Sequence, residues 1–171
     1  PKVLAIGECG LEYFRIKEES ERERQRKVFR EQIELALELD KPLVIHCRDA
    51  HDDVIKILEE YRGEKLRGDL HFFSGNLEQA KKYIELGFLI SFTGVITFTT
   101  DYDEVIKNIP LQKIMIETDA PYVAPVPYRG KRNEPSYVVE VAKKIAEIKG
   151  VSVEEVAKTT TANARELFGV I

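Results

Sequence analysis

The sequence predicts an α/β protein: a parallel β/α barrel of the TIM type, incomplete in this chain. Three observations lead there. Short apolar runs rich in branched side chains alternate strictly with longer amphipathic segments, the pattern of right-handed βαβ units around a parallel sheet. Four of these runs lead to a chargeable residue: Glu8, His46 and His71 follow theirs directly, and Asp119 is reached through Glu117-Thr118. A complete barrel of this kind needs about 250 residues, whereas this chain has 171 and five clear strand patterns.

The opening run, Val3-Leu4-Ala5-Ile6-Gly7, reads as a buried strand that delivers Glu8 at its C-terminal end. Ser20 and Glu23 have the spacing of a capping box. Val28, Phe29, Ile33, Leu35, Ala36, Leu37 and Leu39 then give a wide apolar helix face, which should stop near Asp40-Lys41-Pro42. Residues 43–46 form the second strand. Asp49 is placed to cap the next helix, with Val54, Ile55, Leu58 and Tyr61 inward and Gly63 near its end.

A short third strand is expected around residues 69–73. Asn76 with Gln79 forms another capping box before a helix carrying Ala80, Tyr83 and Ile84 and closed by Gly87. Residues 88–92 make the fourth strand, followed by a short helix over 101–109 that Pro110 ends. The fifth strand covers 113–117. Residues 121–132 form a proline-rich loop without a period of its own, long enough to be functional. Asn133 and Pro135 open a helix with Val138, Val141, Ala142, Ile145 and Ile148 inward and Gly150 behind it. Ser152 and Glu155 cap the last helix, which holds Val156, Ala164, Leu167 and Phe168.

Composition narrows the class. Apolar content of 43% and charged content of 33% suit a globular domain, taken as one unit over residues 1–171. No apolar run reaches about 18 residues, so no membrane span is expected, and no basic-then-apolar leader is visible. Two unclustered cysteines fit a reducing, cytoplasmic setting. A net charge of −4 gives no global pull on a polyanion, so any nucleic acid must be held by local groups.

In a parallel β/α protein the C-terminal strand ends and their loops form one rim, where active sites lie. Glu8, His46, His71 and Asp119 are therefore expected to converge on one mouth as a divalent-metal site. Nitrogen and oxygen donors suit zinc or manganese, and a more oxygen-rich shell suits magnesium. Glu117 faces the same side as Asp119 on an extended strand, where it orients a ligand, holds a metal-bound water or makes a structural ion pair. Cys9 and Cys47 are expected as small buried residues pointing away from the mouth, and His51 as a solvated residue at a helix start. Arg48, Arg129, Lys131 and Arg132 lie on rim loops, either as phosphate binders or as ordinary charged surface.

Several runs occur here in a telling order: Ile6-Gly7-Glu8-Cys9-Gly10-Leu11-Glu12-Tyr13, then Pro42-Leu43-Val44-Ile45-His46-Cys47-Arg48-Asp49-Ala50, then His71-Phe72-Phe73-Ser74-Gly75 and Glu117-Thr118-Asp119-Ala120-Pro121-Tyr122. They continue with residues 125–135, Pro-Val-Pro-Tyr-Arg-Gly-Lys-Arg-Asn-Glu-Pro, and with Thr161-Ala162-Asn163-Ala164. Together they resemble the signature runs of the TatD-type metal-dependent deoxyribonucleases, over essentially the whole chain. The resemblance implies that Glu8 bridges or ligates metal and that His46 and His71 bind one ion. It implies that Asp119 ligates metal and handles the proton of the attacking water, so that Asp119 and Glu8 are the catalytic pair. It further implies exonuclease-like cleavage of DNA.

Two departures stand out. Glu12 sits where the family usually has Asp, and the family's His-x-His pair, upstream of the Glu8 motif, is absent. The chain therefore looks like the C-terminal two-thirds of the family barrel. Its sheet is expected to have open edges, one on residues 2–7, through which it self-associates or takes up a barrel-completing segment. Two other readings stay open: a non-catalytic partial barrel that binds a partner strand or a phosphate, and a hydrolase of a small ester or amide.

Overall fold

Five strands lie side by side in chain order, each parallel to the next. In the computed structural model, which describes residues 2–170, these are β1 (Ile6–Glu12), β2 (Leu43–Arg48), β3 (Gly68–His71), β4 (Phe88–Phe92) and β5 (Ile114–Ile116). The helices alternate with them: α1 (Glu19–Glu38), α2 (His51–Glu59), α3 (Leu77–Glu85) and α4 (Asp103–Asn108), with α5 (Val138–Lys149) and α6 (Val153–Phe168) after β5. The sheet is open: among the described residues β1 pairs only with β2, and β5 only with β4.

Alternation along the strands sorts side chains to two faces. Leu43, Ile45 and Cys47 of β2, Leu70 of β3, Phe88, Ile90 and Phe92 of β4 and Ile114 of β5 pack under the helices. There they meet Phe29, Ile33 and Ala36 of α1, Val54, Ile57 and Leu58 of α2, Ala80 and Tyr83 of α3, and Val141, Ala142 and Ile145 of α5. Leu89 and Met115 alternate to the opposite face and pack with Leu167, Ala164 and Phe168 of α6. The buried Asn163 ties α6 to the start of β5, its amide donating to the carbonyls of Leu111 (3.1 Å) and Ile114 (2.7 Å). The Thr161–Ala164 run is thus architectural.

The elements follow the alternation read from the sequence, with local corrections. The opening strand starts three residues later than expected and continues past Glu8. Among the described residues its only partner is β2, and the pairing begins where the Ile6 amide donates to the Pro42 carbonyl (2.9 Å), so Val3 stays 60% exposed. Ser20 does not cap α1. The Glu18 carbonyl already accepts from the amides of Glu21 and Arg22, which starts the helix ahead of Ser20, and the cap has no side-chain bond. Asp49 does not cap α2 either. It has φ 55°, and the Ala50 that follows it is the capping position, again without a side-chain bond.

Asn76 and Gln79 form the expected reciprocal capping box, and the Ser152 side chain accepts from the Glu155 amide. Residues 121–132 carry no helix or strand. α5 is preceded by a 3₁₀ turn over Pro135–Tyr137 and closed by Gly150 in the left-handed region.

Candidate metal centre

The mouth takes side chains from within β1 and β2, from the end of β3 and from beyond β5. Glu8 reaches it by a β-bulge: Gly7 pairs with Val44 and Cys9 with Ile45, so Glu8 has no partner of its own on β2. A bulge inserts one residue and re-aims its side chain. The close approach of β1 to β2 just beyond requires glycine, because a Cβ on Gly10 (φ 134°) would lie 2.0 Å from the His46 carbonyl oxygen. His46 and His71 are paired in register on β2 and β3 and share a face. Asp119 follows β5 by three residues, with φ 55°.

These side chains meet in a chain of contacts. Glu8 Oε1 lies 3.1 Å from His46 Nδ1 and 3.9 Å from His71 Nε2. His71 Nε2 in turn lies 3.8 Å from Asp119 Oδ1. All four residues expected at the mouth are therefore brought together. Glu117 stands behind them, with one carboxylate oxygen on His71 Nδ1 and the other accepting the Phe72 amide (2.7 Å). A carboxylate on the far ring nitrogen fixes an imidazole's tautomer and aim, and here it turns Nε2 toward Glu8 and Asp119.

Charge is concentrated at this point. Burial lowers the His71 pKa, but the Glu117 hydrogen bond and the charges of Glu117, Glu8 and Asp119 outweigh it and push His71 up to about 9. Burial, with the Glu117 and Glu8 charges, holds the Asp119 carboxyl above its ordinary range.

The donors suit a divalent cation by chemistry, since two imidazoles and two carboxylates are borderline N/O ligands. Among the described residues, however, no three donors close on a common point as a ready cage. His46 itself lies between two carboxylates: Nδ1 faces Glu8, and Nε2 lies 3.4 Å from Glu12 Oε2.

Three residues at or beside the mouth have roles that the sequence reading missed. Glu12, noted from the sequence only as a departure from the family's Asp, braces His46. Despite burial, the amides of Arg15 and Phe14 and the contact with His46 hold its carboxyl low. Asn133 is buried and pins the loop after β5: its amide donates to the carbonyls of Thr118 and Tyr122, both at 2.6 Å. Asp69 is buried two residues before His71, where burial pushes its carboxyl up to about 8. One of its oxygens accepts from Ser91 Oγ (2.7 Å), and the other has no partner among the described residues. The position of Asp69, two residues before His71 in a strand, was the available signal that it shares the His71 face.

His51 corrects an expectation. It is buried rather than solvated, with Nδ1 3.0 Å from Tyr83 Oη and Nε2 3.3 Å from Ser74 Oγ. Burial lowers its pKa to about 4. Cys9 and Cys47 are buried as expected, and burial pushes both thiols up to about 12.

The basic rim residues stand apart from the carboxylate cluster. The Arg48 guanidinium lies over the Phe14 ring (4.4 Å) and that of Arg129 over Phe98 (3.6 Å). Lys131 and Arg132 are exposed on the loop before α5. No helix among the described residues is long and apolar enough to cross a membrane.

Fold and site together define a parallel β/α protein whose histidines and carboxylates meet at the C-terminal mouth of the sheet. The chain belongs to the TatD related DNase family, whose model matches residues 1–169. It is 47% identical over 171 residues to a Bacillus subtilis protein named "Uncharacterized metal-dependent hydrolase YabD", covering 99% of this chain and 66% of that one. It is 39% identical over 178 residues to the "3'-5' ssDNA/RNA exonuclease TatD" of Escherichia fergusonii, covering 99% and 67%. Among solved structures, the TatD homolog YJJV of Escherichia coli superposes with a TM-score of 0.90 at 31% identity, covering 99% of this chain and 65% of that one. The chain thus spans about two thirds of the length of the relatives it matches.

Proposed function

We propose that this chain, as a single β/α domain, carries the catalytic mouth of a divalent-metal-dependent phosphodiesterase that cleaves DNA in exonuclease fashion. The observation that carries the reading is the continuous line Glu8–His46 and Glu8–His71–Asp119, with steps of 3.1 to 3.9 Å at the mouth, and with His71 aimed by Glu117. The names of the relatives, metal-dependent hydrolase and single-strand exonuclease, support it.

Glu8, His46, His71 and Asp119 would hold zinc, magnesium or manganese, with His46 exchanging a carboxylate contact for the ion. When bound, the ion supplies Lewis-acid neutralisation of charge on the phosphate. Asp119 Oδ1 takes the proton of the attacking water. Glu8 orients the same water across the mouth. Arg48, Arg129, Lys131 and Arg132 hold substrate phosphates by charge-assisted hydrogen bonds. The outer edges of β1 and β5 are where a further strand or a second chain would pair.

Calorimetric titration of the chelator-stripped chain with manganese tests the metal assignment without recourse to activity. One ion per chain is expected, and none in the His46→Ala, His71→Ala double variant. Undiminished binding in that variant, or no binding by the parent, would remove the metal centre from this mouth.

A further inference from the structure

The large side chains left most exposed among the described residues include three aromatic rings: Phe14 (50%), Phe98 (40%) and Tyr122 (71%). Singly exposed apolar residues are ordinary on protein surfaces, but these three share a location. Phe14 follows the end of β1, Phe98 ends the turn after β4, and Tyr122 lies three residues beyond Asp119 in the loop after β5. All three therefore stand on the rim that carries Glu8, His46, His71 and Asp119. The other strongly exposed large apolar residues are aliphatic.

The mounting of these rings is specific. Arg48 and, at 5.7 Å, Lys17 lie over the Phe14 ring and Arg129 lies over Phe98, so both rings stand beside positive charge. The loops after β4 and β5 are tied together by the Val126 amide, which donates to Thr97 Oγ1 (2.9 Å). Tyr122 has an anchored backbone and a free ring. Its amide donates to the Asp119 carbonyl (2.9 Å), and its own carbonyl accepts from the buried Asn133 (2.6 Å). The far end of the loop is braced by Tyr128 stacked on Tyr137, with centroids 3.8 Å apart and planes at 4°.

We propose that Phe14, Phe98 and Tyr122 form a base-stacking rim, on which the unpaired bases of a single-stranded polynucleotide lie while Arg48 and Arg129 take the adjoining phosphates. The inference rests on the nuclease reading above and deepens it by assigning what is read beyond the phosphate. Every base presents a π face, so such a rim is indifferent to sequence, and aromatic side chains with neighbouring arginines are the usual means of holding single strands. In a duplex the base faces are stacked on one another and unavailable. Tyr122, anchored beside Asp119, receives the base nearest the reacting phosphate.

The test compares two cleavage-resistant phosphorothioate strands of equal length, one with bases and one abasic, by fluorescence anisotropy on the metal-bound chain. The parent should bind the base-bearing strand more tightly. Tyr122→Leu should lose about five- to a hundredfold on that strand and nothing on the abasic one, while Tyr122→Phe should restore the parent affinity. Equal binding of both strands by the parent, or an equal loss on both in Tyr122→Leu, would overturn the stacking rim and leave the nuclease reading standing. Failure of the parent to bind either strand would overturn both.

Discussion

His71 is fixed from behind and free in front. Glu117 holds its Nδ1 and the Phe72 amide together, which leaves Nε2 facing Glu8 and Asp119. The sequence left Glu117 open between orienting a ligand, holding a metal-bound water and making a structural ion pair; the contact it makes is with His71, whose ring it orients. A second histidine makes the opposite case. An imidazole in an unfolded chain takes its proton near pH 6.5, whereas burial holds His51 neutral down to about 4. Between those values the unfolded chain binds the extra proton, so stability is intact above the window and falls as pH drops through it. The whole gap corresponds to about 3 kcal/mol. Urea unfolding at pH 7 and pH 4 should show the parent losing most of that amount relative to His51→Gln, and parallel losses would mean that His51 titrates normally. Its acidic neighbours Asp49, Asp52 and Asp53 suggested solvent, yet its spacing from Val54 and Leu58 already placed it on the buried stripe of α2.

At the scale of elements, the existence and order of the strands were legible from the apolar runs, although β1 and β2 continue past Glu8 and His46 to Glu12 and Arg48, and the register of β2 with β3 sets His46 beside His71. The helix starts were less so. Asn76 and Gln79 succeed because their bonds are purely local, whereas the start of α1 is set by the preceding loop, where Arg22 Nε donates to the Ile16 carbonyl (3.0 Å). The bulge that carries Glu8 depends on pairing with β2 and leaves no mark in β1 beyond its glycines. Gly10 is the more demanding of these, and Gly10→Ala would drive a methyl group into the His46 carbonyl at a φ of 134°. Overpacking and backbone strain together should cost on the order of 2–4 kcal/mol, read as a lower denaturation midpoint with an unchanged m-value. A loss below about 0.5 kcal/mol, within the range of an ordinary surface substitution, would show that β1 can move away from β2 without penalty.

For the molecule as a whole, strict alternation was sufficient to predict the parallel sheet, and the open sheet agrees with the strand count read from the sequence. The loop after β5 was legible as a stretch without a period of its own, but its internal logic was not. Asn133 was read as a helix start and instead pins Thr118 and Tyr122 across eleven to fifteen residues of chain. The central claim is that this mouth hydrolyses phosphodiester bonds through Asp119. Its most direct measurement is the rate at which a 5′-labelled single-stranded oligonucleotide is shortened, in manganese, by the parent and by Asp119→Asn, with thermal unfolding of both recorded alongside. The parent should shorten the strand, chelator should stop it, and Asp119→Asn should fall by about a hundredfold or more with its unfolding temperature unchanged. A variant within about tenfold of the parent, or a parent rate indifferent to chelator, would contradict the claim.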